Sequence, residues 1–381
     1  MCMARLGFGF MRMPLLGEGD QKAIDKEQLK EMVDTFFGAG FTYCDTAWMY
    51  HDFMSEPTVG EVVVKNYPRD SFTVATKMPV AMVKSLEKAK SIFEAQKEKL
   101  GVEYFDYYLV HDMNKENYNK AQRLKIIDFL REKKEAGEIK RLGFSCHDMP
   151  EFIDKALDEC PFFEFVQLQI NYLDWDSDGV RSRECYEVCV KHDKPVMVME
   201  PVKGGTLANI PEDAAQLLAS RHPDWTPASW ALRFVASLPA VDTILSGMST
   251  LEQVQQNTEL FKNIEPLDDE DMDLLARAAA MIRGNIAIPC TSCRYCVEEN
   301  TCPVNIPIPN YFALYNTETL KNDRGWTPEK TYYTNYVKQN YGRASECISC
   351  RGCERVCPQH IEISTWMTKV KVLLEDNNMT L

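Results

Sequence analysis

The chain has 381 residues, 45% of them hydrophobic and 26% charged, with 43 basic against 57 acidic side chains and a net charge of −14. That length suits one large barrel with a small second domain, or two to three ordinary domains. The acidic balance argues against a nucleic-acid backbone or an anionic membrane surface as partner, and no apolar run approaches the about 20 residues of a membrane helix.

The N-terminal stretch MCMARLGFGFMRMPLLGEG is apolar but broken by Arg5 and Arg12, with no small-residue cleavage site after it, and reads as mature structure. Within it, ARLGFG is the first of eight short apolar segments rich in β-branched or aromatic residues. The others are GFTYCDTA, SFTVATKM, YFDYYLVHD, IKRLGFSCH, FEFVQLQIN, KPVMVMEP and VDTILSG. They read as buried parallel strands. Between them, KEQLKEMVDTFFGAG, SLEKAKSIFEAQKEKLG, NKAQRLKIIDFLREKKEAGE and SRECYEVCVKHD read as helices, several closing on a glycine stop. Eight such strands alternating with helices over about 250 residues predict an α/β fold of the (β/α)8 TIM-barrel class. An open doubly wound sheet is the alternative, but no G-x-G-x-x-G run follows a strand. EPLDDEDMDLLARAAAMIRG reads as a helix with its acids at the N-terminus. Composition then turns to Cys, Pro and Asn, dividing a barrel domain, 1–283, from a small C-terminal domain, 284–381.

Of 14 cysteines, eight lie between Cys290 and Cys357. This clustering suits a metal-bearing module in a reducing cytoplasm better than a secreted disulfide framework. Cys2, Cys44, Cys146, Cys160, Cys185 and Cys189 read as scattered free thiols. Cys290-x2-Cys293-x2-Cys296-x5-Cys302-Pro303 and Cys347-x2-Cys350-x2-Cys353-x3-Cys357-Pro358 follow two-cluster ferredoxin spacing, the first run with two extra residues. In that pattern the fourth ligand comes from the other run. Cys290, Cys293, Cys296 and Cys357 are thus expected around one [4Fe–4S] cluster, and Cys347, Cys350, Cys353 and Cys302 around the other. Zinc is the alternative, though zinc ribbons supply C-x2-C pairs rather than triples. The aromatic stretch Tyr311–Tyr341 is expected to pack this module onto the barrel.

Barrel active sites lie at the C-terminal ends of strands. The polar residues there are Asp45 with Thr46 and Tyr50, Lys77, His111, Ser145, Gln167 with Asn171, Glu200, and Ser246 with Gly247. So many buried polar ends are costly unless they serve a reaction. Asp45-Thr46-Ala47-x-x-Tyr50, then Lys77, then His111, resembles the catalytic tetrad of the aldo/keto reductase family. GFGFMRMP, KRLGFS, VQLQIN and LSGMSTLEQVQQN agree, over roughly residues 4–262. The C-terminal cysteines point to that family's iron–sulfur branch.

Carbonyl reduction needs a hydride to carbon and a proton to oxygen. A phenol such as Tyr50 can give the proton, and an ammonium at Lys77, held by Asp45, is expected to lower its pKa. His111 would orient the carbonyl or share the proton relay. The resemblance further implies a nicotinamide carboxamide held by Ser145, Cys146 and Gln167, where the family usually has Asn in place of Cys146. Met199 stands where an aromatic ring usually stacks on the nicotinamide, and Glu200 where a serine follows it. Asn257 matches an adenine contact, and Ser246 is a further candidate for binding the cofactor. Gly247 and Gln253 occupy positions that usually bring cations to a 2′-phosphate, so NAD(H) is expected to be slightly favoured over NADP(H). The expected activity is reduction of a small carbonyl, or oxidation of its alcohol, in the cytoplasm, with a one-electron donor or acceptor protein as further partner. Two alternatives remain: a flavin in the same barrel feeding the clusters, and a non-catalytic electron-transfer or regulatory subunit. Trp48, Met49, His51, Trp175 and the acidic loop Asp174–Asp178 are candidates for the substrate rim.

Overall fold

The computed structural model describes residues 5–17, 20–176, 180–285, 287–300, 302–319, 330, 333–334, 336–337 and 340–375. Eight parallel strands close into a barrel in sequence order: β1 (Arg5–Gly9), β2 (Tyr43–Asp45), β3 (Thr73–Met78), β4 (Phe105–Val110), β5 (Ile139–Cys146), β6 (Val166–Gln169), β7 (Val196–Met199) and β8 (Val241–Ser246). All eight segments expected from the sequence form these strands.

Side chains alternate across each strand. One face of β1 sends Phe8 outward against Phe36 of the helix Lys26–Gly38, ring centroids 5.4 Å apart. The other face is the barrel interior, where Tyr43, Ala75, Tyr107, Leu109, Phe165, Met197 and Leu245 form one buried cluster. Gly143 belongs to this packing: a Cβ there would meet the Phe165 carbonyl oxygen at 2.5 Å and its ring at 2.7 Å. Register links Gly9 to Asp45, Asp45 to Ala75, Lys77 to Leu109, Ser145 to Gln167 and Gln169 to Met199. Inward positions of successive strands therefore rise together at the C-terminal mouth.

Helix ends follow their caps. Asp25 accepts from Gln28 N at 3.0 Å and Ser85 from Lys88 N at 3.2 Å. Gly101, at φ +72°, ends the helix Leu86–Leu100 as expected. The stretch 119–138 departs from expectation. It is split between Lys115–Arg123, capped by Asn114, and Ile126–Glu135, with Lys125 left-handed at φ 59° between them. The break lets Ile126, Ile127, Phe129 and Leu130 all be buried.

The chain forms two compact units. The first holds all eight strands, with Arg181–Val202 and Ala228–Met272 among its segments; the second combines Lys203–Pro227 with the chain from Asp273 onward. The helix Asp269–Asn285 carries Asp269, Glu270 and Asp271 in its first turn and continues past Arg283. The second unit has its own core, in which Ile288, Ile306, Ile308, Phe312, Ile363, Met367, Val370 and Leu374 surround Tyr311 and Tyr333. Those two rings lie 4.3 Å apart, and the Tyr311 hydroxyl donates to Gly342 O at 2.9 Å. The expectation that these aromatics face the barrel is corrected for Tyr311 and Tyr333: they fill their own module's interior. Residues 320–329 of that stretch lie outside the described residues.

Among the described residues no helix is long and apolar enough to cross a membrane. Cys44, Cys146, Cys160, Cys185 and Cys189 are free and buried, while Cys2 lies outside the described residues.

Candidate active site

Asp45, Lys77 and His111 reach the barrel mouth from β2, β3 and the residue after β4, and Tyr50 from the start of the short helix Tyr50–Phe53 that follows β2. All four are buried. Lys77 Nζ donates to Asp45 Oδ1 at 2.6 Å, to Thr46 O at 2.8 Å and to Tyr50 Oη at 3.4 Å. The Tyr50 and His111 ring centroids are 6.1 Å apart. The four residues singled out from the sequence thus meet at one place.

Their electrostatics differ from expectation in one respect. Burial holds the Tyr50 phenol above its ordinary range, outweighing the pull of Lys77 toward the phenolate. The residue is therefore a neutral O–H, a stored proton rather than a preformed phenolate. Burial also opposes the charge on Lys77, but Asp45 outweighs it and the ammonium is held. Burial, with Lys77 and His147 nearby, keeps His111 well below the imidazole range and neutral.

A buried brace that the sequence did not suggest stands behind Lys77. Thr76 Oγ1 donates to Glu56 Oε1 at 2.7 Å, and Gln96 Nε2 donates to the same oxygen at 2.6 Å and to Lys77 O at 3.0 Å. The Tyr108 hydroxyl donates to Gln96 Oε1 at 2.6 Å. Burial holds Glu56 above the usual carboxylate range.

Ser145 and Gln167 are register partners on β5 and β6. Ser145 Oγ accepts from Asp112 N at 2.9 Å, and Gln167 Oε1 is buried with no hydrogen bond among the described residues. Cys146 Sγ accepts from Asp148 N at 3.3 Å, and burial keeps it a neutral thiol. Met199 is half-buried at the end of β7. Asn257 Nδ2 donates to Ser246 Oγ at 3.1 Å, and Gln253 Oε1 accepts from Ser249 N at 2.7 Å. A cation not foreseen lies close by. The Arg12 stem covers Gly247, where a Cβ would meet Arg12 Cδ at 3.2 Å, and Arg12 Nη2 is 3.9 Å from Glu200 Oε1.

The expected rim residues divide. Met49 clusters with Ala47, Tyr50 and Met11. Trp48 lies under Lys99 Nζ at 3.6 Å, and Trp175 packs on Phe234 at 5.4 Å. His51 accepts from Met13 N at 3.1 Å through Nε2 and meets Gln21 O at 3.0 Å through Nδ1, so it ties down the loop after β1. Asp174 accepts from Gln169 and Asn171, both at 2.9 Å. Asp178 lies outside the described residues.

The sequence model of the aldo/keto reductase family matches residues 5–280. The chain belongs to the aldo/keto reductase family. A 4Fe-4S dicluster domain matches residues 289–362 of this aldo/keto reductase. It is 27% identical over 225 residues to a 9,11-endoperoxide prostaglandin H2 reductase of Trypanosoma cruzi, covering 59% of this chain and 74% of that one. To an aldo-keto reductase of Mycobacterium avium it is 26% identical over 259 residues, 67% of this chain and 83% of the other. Among solved structures, the holo form of an aldo-keto reductase from Bacillus halodurans superposes with a TM-score of 0.59 at 23% identity, covering 73% of this chain and 93% of that one. One from Klebsiella pneumoniae in complex with NADP and acetate gives 0.54 at 22% identity, covering 71% and 90%.

The second unit brings the eight clustered cysteines into two groups of four. Cys290, Cys293, Cys296 and Cys357 line one cavity. Cys302, Cys347, Cys350 and Cys353 line another. Each group draws three sulfurs from one run and one from the other. Apolar side chains complete both walls, Ile308, Phe312 and Ile361 in the first and Val304, Ile306 and Met367 in the second. Among the described residues no three His, Cys, Asp or Glu side chains converge as a single metal ion would require.

Proposed function

We propose that this aldo/keto reductase interconverts a small carbonyl and its alcohol at the mouth of the barrel, using a nicotinamide cofactor, and that it carries two [4Fe–4S] clusters. Residues 1–283 form the catalytic domain and 284–381 the cluster domain in this reading, in a reducing cytoplasm. The observation that carries it is Lys77 Nζ within hydrogen-bond distance of both Asp45 and Tyr50, at 2.6 and 3.4 Å.

The nicotinamide, when bound, supplies a hydride to the carbonyl carbon. The Tyr50 hydroxyl gives its proton to the developing alkoxide, and the resulting phenolate is stabilised by the ammonium already beside it. Asp45 holds that ammonium in place. Neutral His111 hydrogen-bonds the carbonyl oxygen and orients it. Gln167 Oε1, buried with no hydrogen bond among the described residues, is a ready acceptor for a carboxamide N–H, and Ser145 retains its own proton to donate. The thiol of Cys146 adds little there. The uncharged Gly247 and Gln253, with Arg12 directed to Glu200, favour NAD(H) over NADP(H). The Cys290, Cys293, Cys296 and Cys357 group would hold one cluster and the Cys302, Cys347, Cys350 and Cys353 group the other. A one-electron carrier protein is the expected partner of that module.

The test uses anaerobically prepared protein: iron and sulfide content, any bound flavin, and single-turnover mixing with NADH and a panel of aldehydes and ketones. Alcohol formed from NADH, about eight iron per chain and no flavin are expected. Reduction driven only by a one-electron donor through bound flavin would overturn the nicotinamide reading. No turnover with full clusters would point to an electron-transfer or regulatory subunit, and zinc in place of iron would remove the clusters.

A further inference from the structure

The two cysteine runs, 290–296 and 347–353, share one backbone course. In each, the residues before and after the second cysteine are left-handed: Ser292 and Arg294 at φ 55° and 70°, Ser349 and Arg351 at φ 55° and 57°. Each run then enters a short helix, Tyr295–Glu298 in one and Gly352–Arg355 in the other. The loops therefore correspond position by position, but their surroundings differ. Thr291 is 2% exposed and its counterpart Ile348 63%. Cys293 is buried and its counterpart Cys350 exposed. The Arg294 side chain is 35% exposed and paired with Glu298 at 2.6 Å, whereas that of Arg351 is 71% exposed. Burial runs against residue type: the covered loop carries the threonine and the bare loop the isoleucine. An isoleucine there forgoes apolar burial that a docked partner would restore.

The charge of the bare loop also departs from the rest of the chain. Residues 343–355 carry Arg343, Arg351 and Arg355 against Glu346 and Glu354, on a chain of net charge −14. Arg351 and Arg355 are exposed at the two ends of the helix Gly352–Arg355. Glu354 between them is turned to Ser364, whose N and Oγ donate to its Oε1 at 2.8 and 2.6 Å, and it faces Arg351 at 3.7 Å. A cubane on four thiolates is itself an anion. Arginines beside its exposed sulfur would let a second anion approach that the cluster alone repels.

We infer that the loop 347–351 is the docking face for an acidic one-electron carrier protein, so that electrons pass through the cluster held by Cys302, Cys347, Cys350 and Cys353. The inference rests on the two-cluster reading above and gives its expected carrier a place and a charge. Ile348 seats against the carrier, and Arg351 and Arg355 meet its carboxylates. Electron transfer weakens steeply with distance, and of the eight clustered cysteines Cys350 alone is exposed. The step is outer-sphere: one electron passes from the reduced carrier to the cluster, the carrier is oxidised by one electron, and no bond or proton changes.

The test measures reduction of the holoprotein by a reduced plant-type [2Fe–2S] ferredoxin, an acidic carrier, and separately by photogenerated deazariboflavin radical, a small uncharged donor. In the parent, exchange with the ferredoxin should slow at least about tenfold between about 0.02 and 0.5 M salt, as a screened attraction does. Exchange with the small donor should change less than about twofold. Arg351→Gln with Arg355→Gln should lower the ratio of ferredoxin rate to small-donor rate about tenfold at low salt, and Ile348→Asp at least as much. Arg294→Gln, the counterpart on the covered loop, should leave that ratio within about twofold. Iron content checks that each variant keeps its clusters, and the salt arm needs no variant. A ferredoxin rate indifferent to salt, no exchange with ferredoxin in either direction while the small donor reduces the protein, an unchanged ratio in the arginine variant, or an equal fall in Arg294→Gln would each overturn the inference. A parent protein without two [4Fe–4S] clusters by iron and sulfide analysis would overturn the two-cluster reading instead.

Discussion

Lys77 meets Tyr50 twice: its Nζ donates to the phenol oxygen at 3.4 Å and stands 4.9 Å from the centroid of the same ring. One cation therefore touches both the atom that loses the proton and the π-face behind it. With Asp45 at 2.6 Å on its other side, Lys77 has little freedom to leave.

Tyr50→Phe keeps the ring and removes the proton. Carbonyl reduction should fall at least about a hundredfold, the low end for positioned acid–base groups. Nicotinamide affinity should change less than about twofold. Because burial holds the phenol above its ordinary range, the alkaline limb of the reduction rate should begin above about pH 10. A limb near pH 8 would mean that another group delivers the proton.

Removing one member of the Asp45–Lys77 pair should cost more stability than removing both. Lys77→Met strands a buried carboxylate, and urea denaturation should show a loss of about 3 kcal/mol or more. Adding Asp45→Asn should return much of that stability and none of the activity. A double variant less stable than Lys77→Met would show that the pair is a net stabiliser of the fold.

Asp112 gives the fold a pH dependence. Burial and neighbouring Asp148 push its carboxyl up to about 6, against about 3.9 for an unfolded aspartate. Folding thus favours the protonated form: its advantage is complete below the unfolded value and is lost as pH rises through 6. Asp112→Asn should match the parent near pH 3.5 and exceed it above pH 7 by up to about 3 kcal/mol. Asparagine also tolerates the left-handed φ of 45° at this position. Equal stability at both pH values would show that the ionised carboxyl is well solvated.

Cofactor choice should respond to Glu200. Arg12 Nη2 lies 3.9 Å from Glu200 Oε1 and its stem covers Gly247. Glu200→Gln keeps the shape and removes the counter-charge, so Arg12 becomes a stronger phosphate partner. The ratio of NADPH to NADH affinity, measured by calorimetry, should rise about tenfold, since a hydrogen bond to a charged group contributes roughly 1.5–3 kcal/mol. A parent enzyme that already prefers NADPH strongly would show that Arg12 serves the phosphate despite Glu200.

The barrel was legible because its information is local. Each strand is a short apolar run, and the polar residue at its C-terminal end stands out from sequence alone. Asp45, Lys77 and His111 were found this way. What escaped depends on approach between distant segments. Nothing near Gly247 in sequence announces Arg12, and no motif marks Glu56 until Thr76 and Gln96 close on it. The sign of the Tyr50 shift was missed for the same reason. The neighbouring lysine is visible in the sequence, but the depth of burial that outweighs it is a property of the assembled mouth. The break at Lys125 turns on which side chains reach the core, a choice that a continuous helical pattern does not reveal.

Each cysteine-lined cavity takes its fourth sulfur from the far end of the module, Cys357 in one and Cys302 in the other. A growing chain can therefore complete neither group until Cys347–Cys357 has left the ribosome, and both then become available within a few residues of synthesis. In the two-cluster reading, a chain cut anywhere between the two runs could therefore hold neither cluster.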